Sequence, residues 1–235
     1  MPVADGDISD DPRAAFSLVE LLVVLAIMAI LASLVAPAAG RARRRAQQTA
    51  CVSNLRQVGL LFMVYGNERG GQYPWAHDPI SPGIWLWMGR GWRPVLEPYA
   101  PRNAAGGIFF CPGDAKARAQ FDSTSYAYSM SFYHSPEQIN EMTSVADNYS
   151  NPRPAVPQRA AAVVYPARKI LAGEWSSVHA PFAADRGWFG PGGRRVFLFA
   201  DNHVRPLDAD QLAPANDGNP NPNLTRDGLR GGDTP

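Results

Sequence analysis

The chain has 235 residues, with 22 basic side chains against 21 acidic ones and a formal net charge of +1 at pH 7. Such a balance gives no global positive field for binding nucleic acid, and the length allows an anchor plus one domain of ordinary size. Twenty-two Pro, 21 Gly and six Trp argue against a helical bundle and for a loop-rich domain built around aromatic anchors.

Residues 1–15 read as a leader without fold, acidic through Asp5, Asp7, Asp10 and Asp11 against Arg13. From Leu21 to Ala39 no residue is charged and only Ser33 is polar. About 20 apolar residues rising about 1.5 Å each cross the roughly 30 Å hydrocarbon core of a bilayer. At the N-terminal end of this run sits one carboxylate, Glu20. An ionisable group inside a spanning helix must be neutralised, paired or drawn to the interface, so it marks a functional position.

Phe16-Ser17-Leu18-Val19-Glu20-Leu21 resembles the Phe-Thr-Leu-Ile-Glu-Leu start of type IV pilins and type II secretion pseudopilins. In that family a prepilin peptidase removes the leader just before the Phe, whose new amine is N-methylated, and the Glu at the fifth position serves subunit assembly. Pro37 matches a Pro common at the twenty-second mature position. The leader departs from the family, which usually ends it in Gly and makes it basic; here Ala15 precedes Phe16. The resemblance implies cleavage between Ala15 and Phe16, methylation of Phe16, a transmembrane helix over 16–39, and assembly through Glu20 and Pro37. It also implies three kinds of partner: like or homologous subunits, a prepilin peptidase/methyltransferase, and an inner-membrane assembly platform.

The role of Glu20 also has a physical basis. A free Phe16 ammonium would lie about one helical turn from Glu20, and axial offset between stacked subunits would let Glu20 meet the amine of a neighbour. The plainer alternative is a carboxylate snorkelling to the headgroups. A secretory signal peptide, with Ala36-Pro37-Ala38 as cleavage site, fits less well, because the run is too long for an h-region and no basic segment precedes it. Arg41, Arg43, Arg44 and Arg45 follow the span, and the positive-inside rule would keep that side in the cytoplasm. The resemblance implies the reverse: a single-pass protein of the inner membrane with its head in the periplasm.

Residues 40–70 read as a basic neck, suited to lipid phosphates, leading into an amphipathic helix. Cys51, Leu55, Val58, Phe62 and Tyr65 are spaced 4-3-4-3, one stripe to be buried against the following domain. Gly66 and Gly70-Gly71 are its predicted end, giving a continuous helix on the order of 70 Å. Cys51-Val52-Ser53-Asn54-Leu55-Arg56-Gln57-Val58-Gly59 is similar to the Cys-x-x-Asn-Leu-Lys-Gln-Ile-Gly segment of pilin-like proteins of planctomycete type. Those proteins carry a C-terminal region named for a His, nine residues and Asp-Gly (H-X9-DG). Phe109-Phe110-Cys111-Pro112, Ser125-Tyr126-Ala127-Tyr128 and Phe199-Ala200-Asp201-Asn202-His203-Val204 are similar to further segments of that group. Asn202 stands where it usually has Gly, and Pro191 stands where its His is expected.

The head, 71–207, is predicted to be α+β, a long helix packed on a mainly antiparallel sheet. Strand-like pieces are 84–88, 108–111, 126–131, 169–175 and 195–200, with a hairpin over 195–207 turning at Asp201-Asn202. Ser135-Pro136-Glu137-Gln138 has the spacing of a capping box. Residues 153–157 read as an exposed loop, and 208–235, rich in Asn, Pro, Gly and Asp, as a mobile tail.

Cys51 and Cys111 allow one disulfide in an oxidising compartment, with two buried thiols as the alternative. His77, His134, His179 and His203 show no metal-ligand spacing. Asp201, Asn202, Asp208 and Asp210 supply hard oxygens suited to calcium but lack a defined loop pattern; turn chemistry accounts for Asp201-Asn202. No hydrolase or P-loop motif occurs. Glu174 and Asp185 are the one imaginable carboxylate pair, and Trp85, Trp87 and Trp92 the one aromatic stripe, more in keeping with a core than a binding face. The sequence thus points to a non-enzymatic structural subunit, pilin or pseudopilin, without a cofactor. A single-span binding protein that never assembles is the first alternative, and a periplasmic carbohydrate-active enzyme the second.

Overall fold

The computed structural model describes residues 17–75, 89–101, 107–117, 124–148 and 153–235. Two compact units divide between Arg43 and Arg44. Helix α1, Leu18–Glu68, contributes to both. In the first unit every residue from Ser17 to Ala39 is exposed. Pro37 lies inside the helix, where its missing N–H leaves the Ser33 carbonyl without its usual donor.

In the second unit α1 buries Cys51, Leu55, Val58, Phe62 and Tyr65, the stripe set by their spacing. Gly66 remains helical, and the chain turns away only where Gly70 and Gly71 take φ of 62° and 80°, conformations that L side chains resist. Around Phe62 an aromatic cluster closes, with Trp92 at 5.8 Å and Tyr128 at 5.0 Å between ring centroids. Trp92 belongs to the short helix α2, Gly89–Leu96, and meets Phe109 at 5.7 Å.

A four-stranded antiparallel sheet runs in the order β1 (Tyr126–Tyr128), β2 (Ile170–Glu174), β3 (Arg194–Phe199), β4 (Val204–Asp208). The long helix followed by this sheet is an α+β, pilin-like architecture. β3 is buried from Arg195 to Phe199 and rich in the β-branched and aromatic types that fill a covered sheet. β4 is an edge strand and carries Pro206, which an edge tolerates because no neighbour needs its N–H. The β3–β4 hairpin turns through Asn202, at φ 71°, with Asn202 N–H donating to Phe199 O at 2.9 Å. Helix α3, Pro136–Asn140, starts with the capping box Ser135–Gln138.

Three expectations need correction. Residues 108–111 form turns rather than a strand. Their backbone is satisfied by other groups: Asn54 Nδ2 donates to Phe110 O at 2.8 Å, Ser125 N–H to Phe109 O at 3.1 Å, and Cys111 N–H to Ser125 Oγ at 2.9 Å. The strand expected over 126–131 stops at Tyr128, and Met130–Phe132 form a 3-10 turn. Met130 N–H donates to Asn223 Oδ1 at 3.2 Å, and the Ser129 hydroxyl to Pro222 O at 2.6 Å.

Those partners reveal the third correction. Residues 208–235 are folded into the head, with Leu212, Leu224, Leu229, Asn223, Asp233 and Thr234 all buried. Ala213 N–H donates to Asp233 O at 2.7 Å and Asn216 N–H to Leu224 O at 3.0 Å. The turn-forming composition serves tight, internally bonded turns pinned by three leucines rather than disorder. The strand expected at 84–88 lies outside the described residues.

Candidate functional site

At its N-terminus α1 presents one continuous apolar surface interrupted by a single charge. Leu18, Met28 and Leu34 are 74%, 62% and 67% exposed within one contiguous apolar patch, the kind that marks a protein or membrane contact. The stretch is long and apolar enough to cross a membrane, by length and composition. Glu20 is not loose at its end. Ser17 N–H donates to Glu20 Oε2 at 2.9 Å, and Glu20 N–H donates to Ser17 Oγ at 3.2 Å. This is a reciprocal capping box: two donors that a helix start leaves orphaned are satisfied by two side chains three apart. Ser33 Oγ donates to Ile30 O at 2.7 Å, so this hydroxyl is bonded within the helix. Ala15 and Phe16 lie outside the described residues.

In the head, Cys51 of α1 and Cys111 of the turn before β1 form a disulfide. His179 Nε2 lies 3.2 Å from Cys111 Sγ and 3.1 Å from Glu174 Oε1. Glu174, at the end of β2, is fully buried, and its Oε2 accepts the Val196 N–H at 2.9 Å. The close approach of His179 needs Gly113: a Cβ there would sit 3.2 Å from the ring Cε1 and 3.0 Å from Val178 Cγ1.

Asp185 is separately occupied. It forms an ion pair with the buried guanidinium of Arg195 and accepts Ser177 N–H at 2.6 Å and Gly187 N–H at 3.1 Å. Burial draws Arg195 below the ordinary arginine range, and Asp185 is the largest influence opposing it. Glu174 and Asp185 therefore each hold other groups instead of facing one another across a cleft. Trp92 is a core residue, buried completely; Trp85, Trp87 and His77 lie outside the described residues.

The four residues considered for calcium do not converge. Asp201 and Asn202 occupy the β3–β4 turn, whereas Asp208 pairs with Arg194 at the far end of the hairpin. Asp201 Oδ1 lies 2.6 Å from His203 Nδ1, and Asp208 bonds Arg194 at 3.0 Å. Asp210 is the middle residue of the turn Ala209–Gln211 after β4. With Leu198 opposite Val204 and Arg194 opposite Asp208, the hairpin separates the two groups by about four residues of strand, on the order of 13 Å. Turn and ion-pair chemistry account for Asp201, Asn202 and Asp208.

Residues 11–36 match the family model described as the prokaryotic N-terminal methylation motif. The match spans the leader end, Glu20 and most of the apolar helix, and it supports a type IV pilin-like protein with a prepilin-type N-terminus. It points to a structural role rather than an enzymatic one, and with the apolar helix it fits a single-pass, membrane-anchored protein. No curated protein and no solved structure matches the chain.

Proposed function

We propose that this chain is a pilin or pseudopilin subunit, cut between Ala15 and Phe16 by a prepilin peptidase and N-methylated on Phe16. It sits in the inner membrane with its head in the periplasm and assembles through the first part of α1 into a pilus or a type II secretion pseudopilus. Its partners are like subunits, the peptidase/methyltransferase and an inner-membrane assembly platform; a relation to the H-X9-DG group goes with this reading. The observation that carries it is the exposed apolar surface of Ser17 to Ala39, with Glu20 its sole charge, coinciding with the methylation-motif match.

Glu20 then has two duties. One oxygen accepts the Ser17 N–H, and a carboxylate keeps further acceptor sites, so the neighbour's Phe16 ammonium can be held at the same time. Pairing neutralises a charge that lipid would otherwise disfavour, and methylation preserves the charge of the amine. Pro37 belongs to the same surface.

Intact-mass measurement and N-terminal sequencing of the membrane form test the reading. A chain beginning at Phe16, heavier by about 14 Da for one methyl group, is the expected result, together with loss of filaments in Glu20→Leu. A chain retaining Met1, or filaments formed equally by Glu20→Leu, would leave a membrane-anchored protein that does not assemble in this way.

A further inference from the structure

The grouping around the disulfide has a second chemistry that the proposed assembly does not use. One donor atom from each of Cys51, Cys111, Glu174 and His179 lies within 4.8 Å of all the others. The two cysteines and Glu174 are buried, and the His179 side chain is 7% exposed. Glu174 Oε1 is buried beside His179 Nε2 yet accepts no hydrogen bond of normal geometry. A buried carboxylate oxygen without a well-formed hydrogen bond is costly, and here it faces the imidazole nitrogen at 3.1 Å and two sulfurs.

We propose that reduction of the Cys51–Cys111 bond converts this quartet into a four-ligand site for zinc(II). Two thiolates, one imidazole nitrogen and one carboxylate oxygen form a donor set that suits a tetrahedral ion of borderline softness. The metal arms would be about 2.3 Å to sulfur and about 2.0–2.2 Å to nitrogen and oxygen. On those arms neighbouring donors stand between about 3.3 and 3.8 Å apart, so rotation of the cysteine side chains opens the sulfurs to fit. Four ligands close the sphere, which makes the site structural.

The step balances with a dithiol as reductant. The dithiol gives two electrons and two protons to the disulfide, leaving Cys51–SH and Cys111–SH and itself becoming a disulfide. Zinc then displaces both thiol protons to solvent and takes the imidazole lone pair and a carboxylate oxygen. A cleft of about 730 Å³ is lined by Gly113 and Val178, and a Cβ at Gly113 would sit 3.2 Å from the His179 ring, so one layer of residues parts the cleft from the imidazole. The exchange keeps α1 tied to the turn before β1 in either redox state, by a covalent bond in one and through a metal in the other. The inference is independent of filament assembly.

Metal titration of the full chain in detergent is the test, with zinc(II) for affinity and cobalt(II) as spectroscopic probe. After treatment with a dithiol and its removal under anaerobic conditions, the chain should bind one equivalent of metal. Cobalt should show sulfur-to-metal charge transfer and the intense visible bands of tetrahedral coordination, and zinc should raise the thermal midpoint of the reduced chain. The oxidised chain should bind none at this site. His179→Ala and Glu174→Gln leave both cysteines in place and can be purified oxidised before reduction; each should weaken zinc binding by more than about tenfold, the least that loss of a tuning group costs a metal site. Failure of the reduced chain to bind stoichiometric metal, octahedral cobalt spectra, or affinity unchanged by His179→Ala would overturn the proposal.

Discussion

Lys169 Nζ and Asp233 Oδ2 lie 3.3 Å apart with almost no exposure on either side chain, joining the start of the central strand region to the last residues of the chain. Burial holds the amine below its ordinary value and the carboxyl above its own, so desolvation outweighs attraction on both partners. The hydroxyls of Ser131 and Thr225 complete the amine's shell. Removing one partner strands the other: Lys169→Met or Asp233→Ala should each cost about 3–5 kcal/mol. The double replacement Lys169→Met/Asp233→Leu should recover only part of the loss, because the buried Ile170 N–H loses its Asp233 acceptor. Denaturant midpoints of the full chain in detergent, followed by tryptophan fluorescence, would show this non-additivity.

Gly59 of α1 and Asn202 of the hairpin turn leave no room for a methyl group. A Cβ at Gly59 would fall 1.8 Å from Asn202 Oδ1 and 2.9 Å from Leu198 Cδ1. Gly59→Ala should therefore destabilise the head by about 1–3 kcal/mol through overpacking. Asn202→Gly removes the obstructing oxygen at a backbone position of φ 71° that glycine accepts freely. A double-mutant cycle should show the Ala penalty reduced in the Asn202→Gly background.

His134 supplies a pH dependence with a definite sign. Burial lowers it from 6.5 to about 4. As pH falls below the ordinary value the unfolded chain takes up the proton first, while the folded one stays neutral until about 4. Stability present above pH 6.5 is therefore lost progressively down to about pH 4, by roughly 3 kcal/mol in all. Urea midpoints at about pH 7 and about pH 4.5 should differ in the wild type, and the part due to this residue should vanish in His134→Leu.

The Cys51–Cys111 bond closes a loop over a sequence separation of 60. By the chain-entropy relation its removal should cost about 4 kcal/mol. Cys51→Ser/Cys111→Ser in metal-free buffer should show that loss at equilibrium, with the denaturant slope raised because the unfolded chain expands.

Ser17→Ala should free the first turn of α1. Loss of an N-cap serine costs about 1 kcal/mol, about a fivefold rise in opening. Faster amide exchange over Leu18–Leu21 in detergent micelles, with the remainder of the span unchanged, would register it.

What the sequence revealed of this architecture followed the local rules. The 4-3-4-3 stripe of α1 is buried, Ser135 caps α3, and the β3–β4 hairpin turns at Asn202, because each depends on residues a few positions apart. The failures are places where distant groups settle the outcome. Residues 108–111 have strand-like side chains, but Asn54 and Ser125 take their backbone bonds. The C-terminal segment has the composition of a tail, but Lys169 and the turn after β1 supply partners that no local window contains. The grouping of Cys51, Cys111, His179 and Glu174 draws on three separate segments, so ligand spacing along the chain gives no sign of it. The Ser17–Glu20 capping box is legible in the sequence, since Ser-x-x-Glu before an apolar run is its signature.

The interior position of Asp233 bears on biosynthesis. Ile170 N–H donates to Asp233 Oδ2 at 2.6 Å, so the second strand of the sheet receives one of its bonds from a residue 63 positions further along the chain. Domains generally fold from the N-terminus as the ribosome delivers them. Here α1 emerges first, long before its sheet can close, and the nascent head must wait, unsealed, until Asp233 has been added.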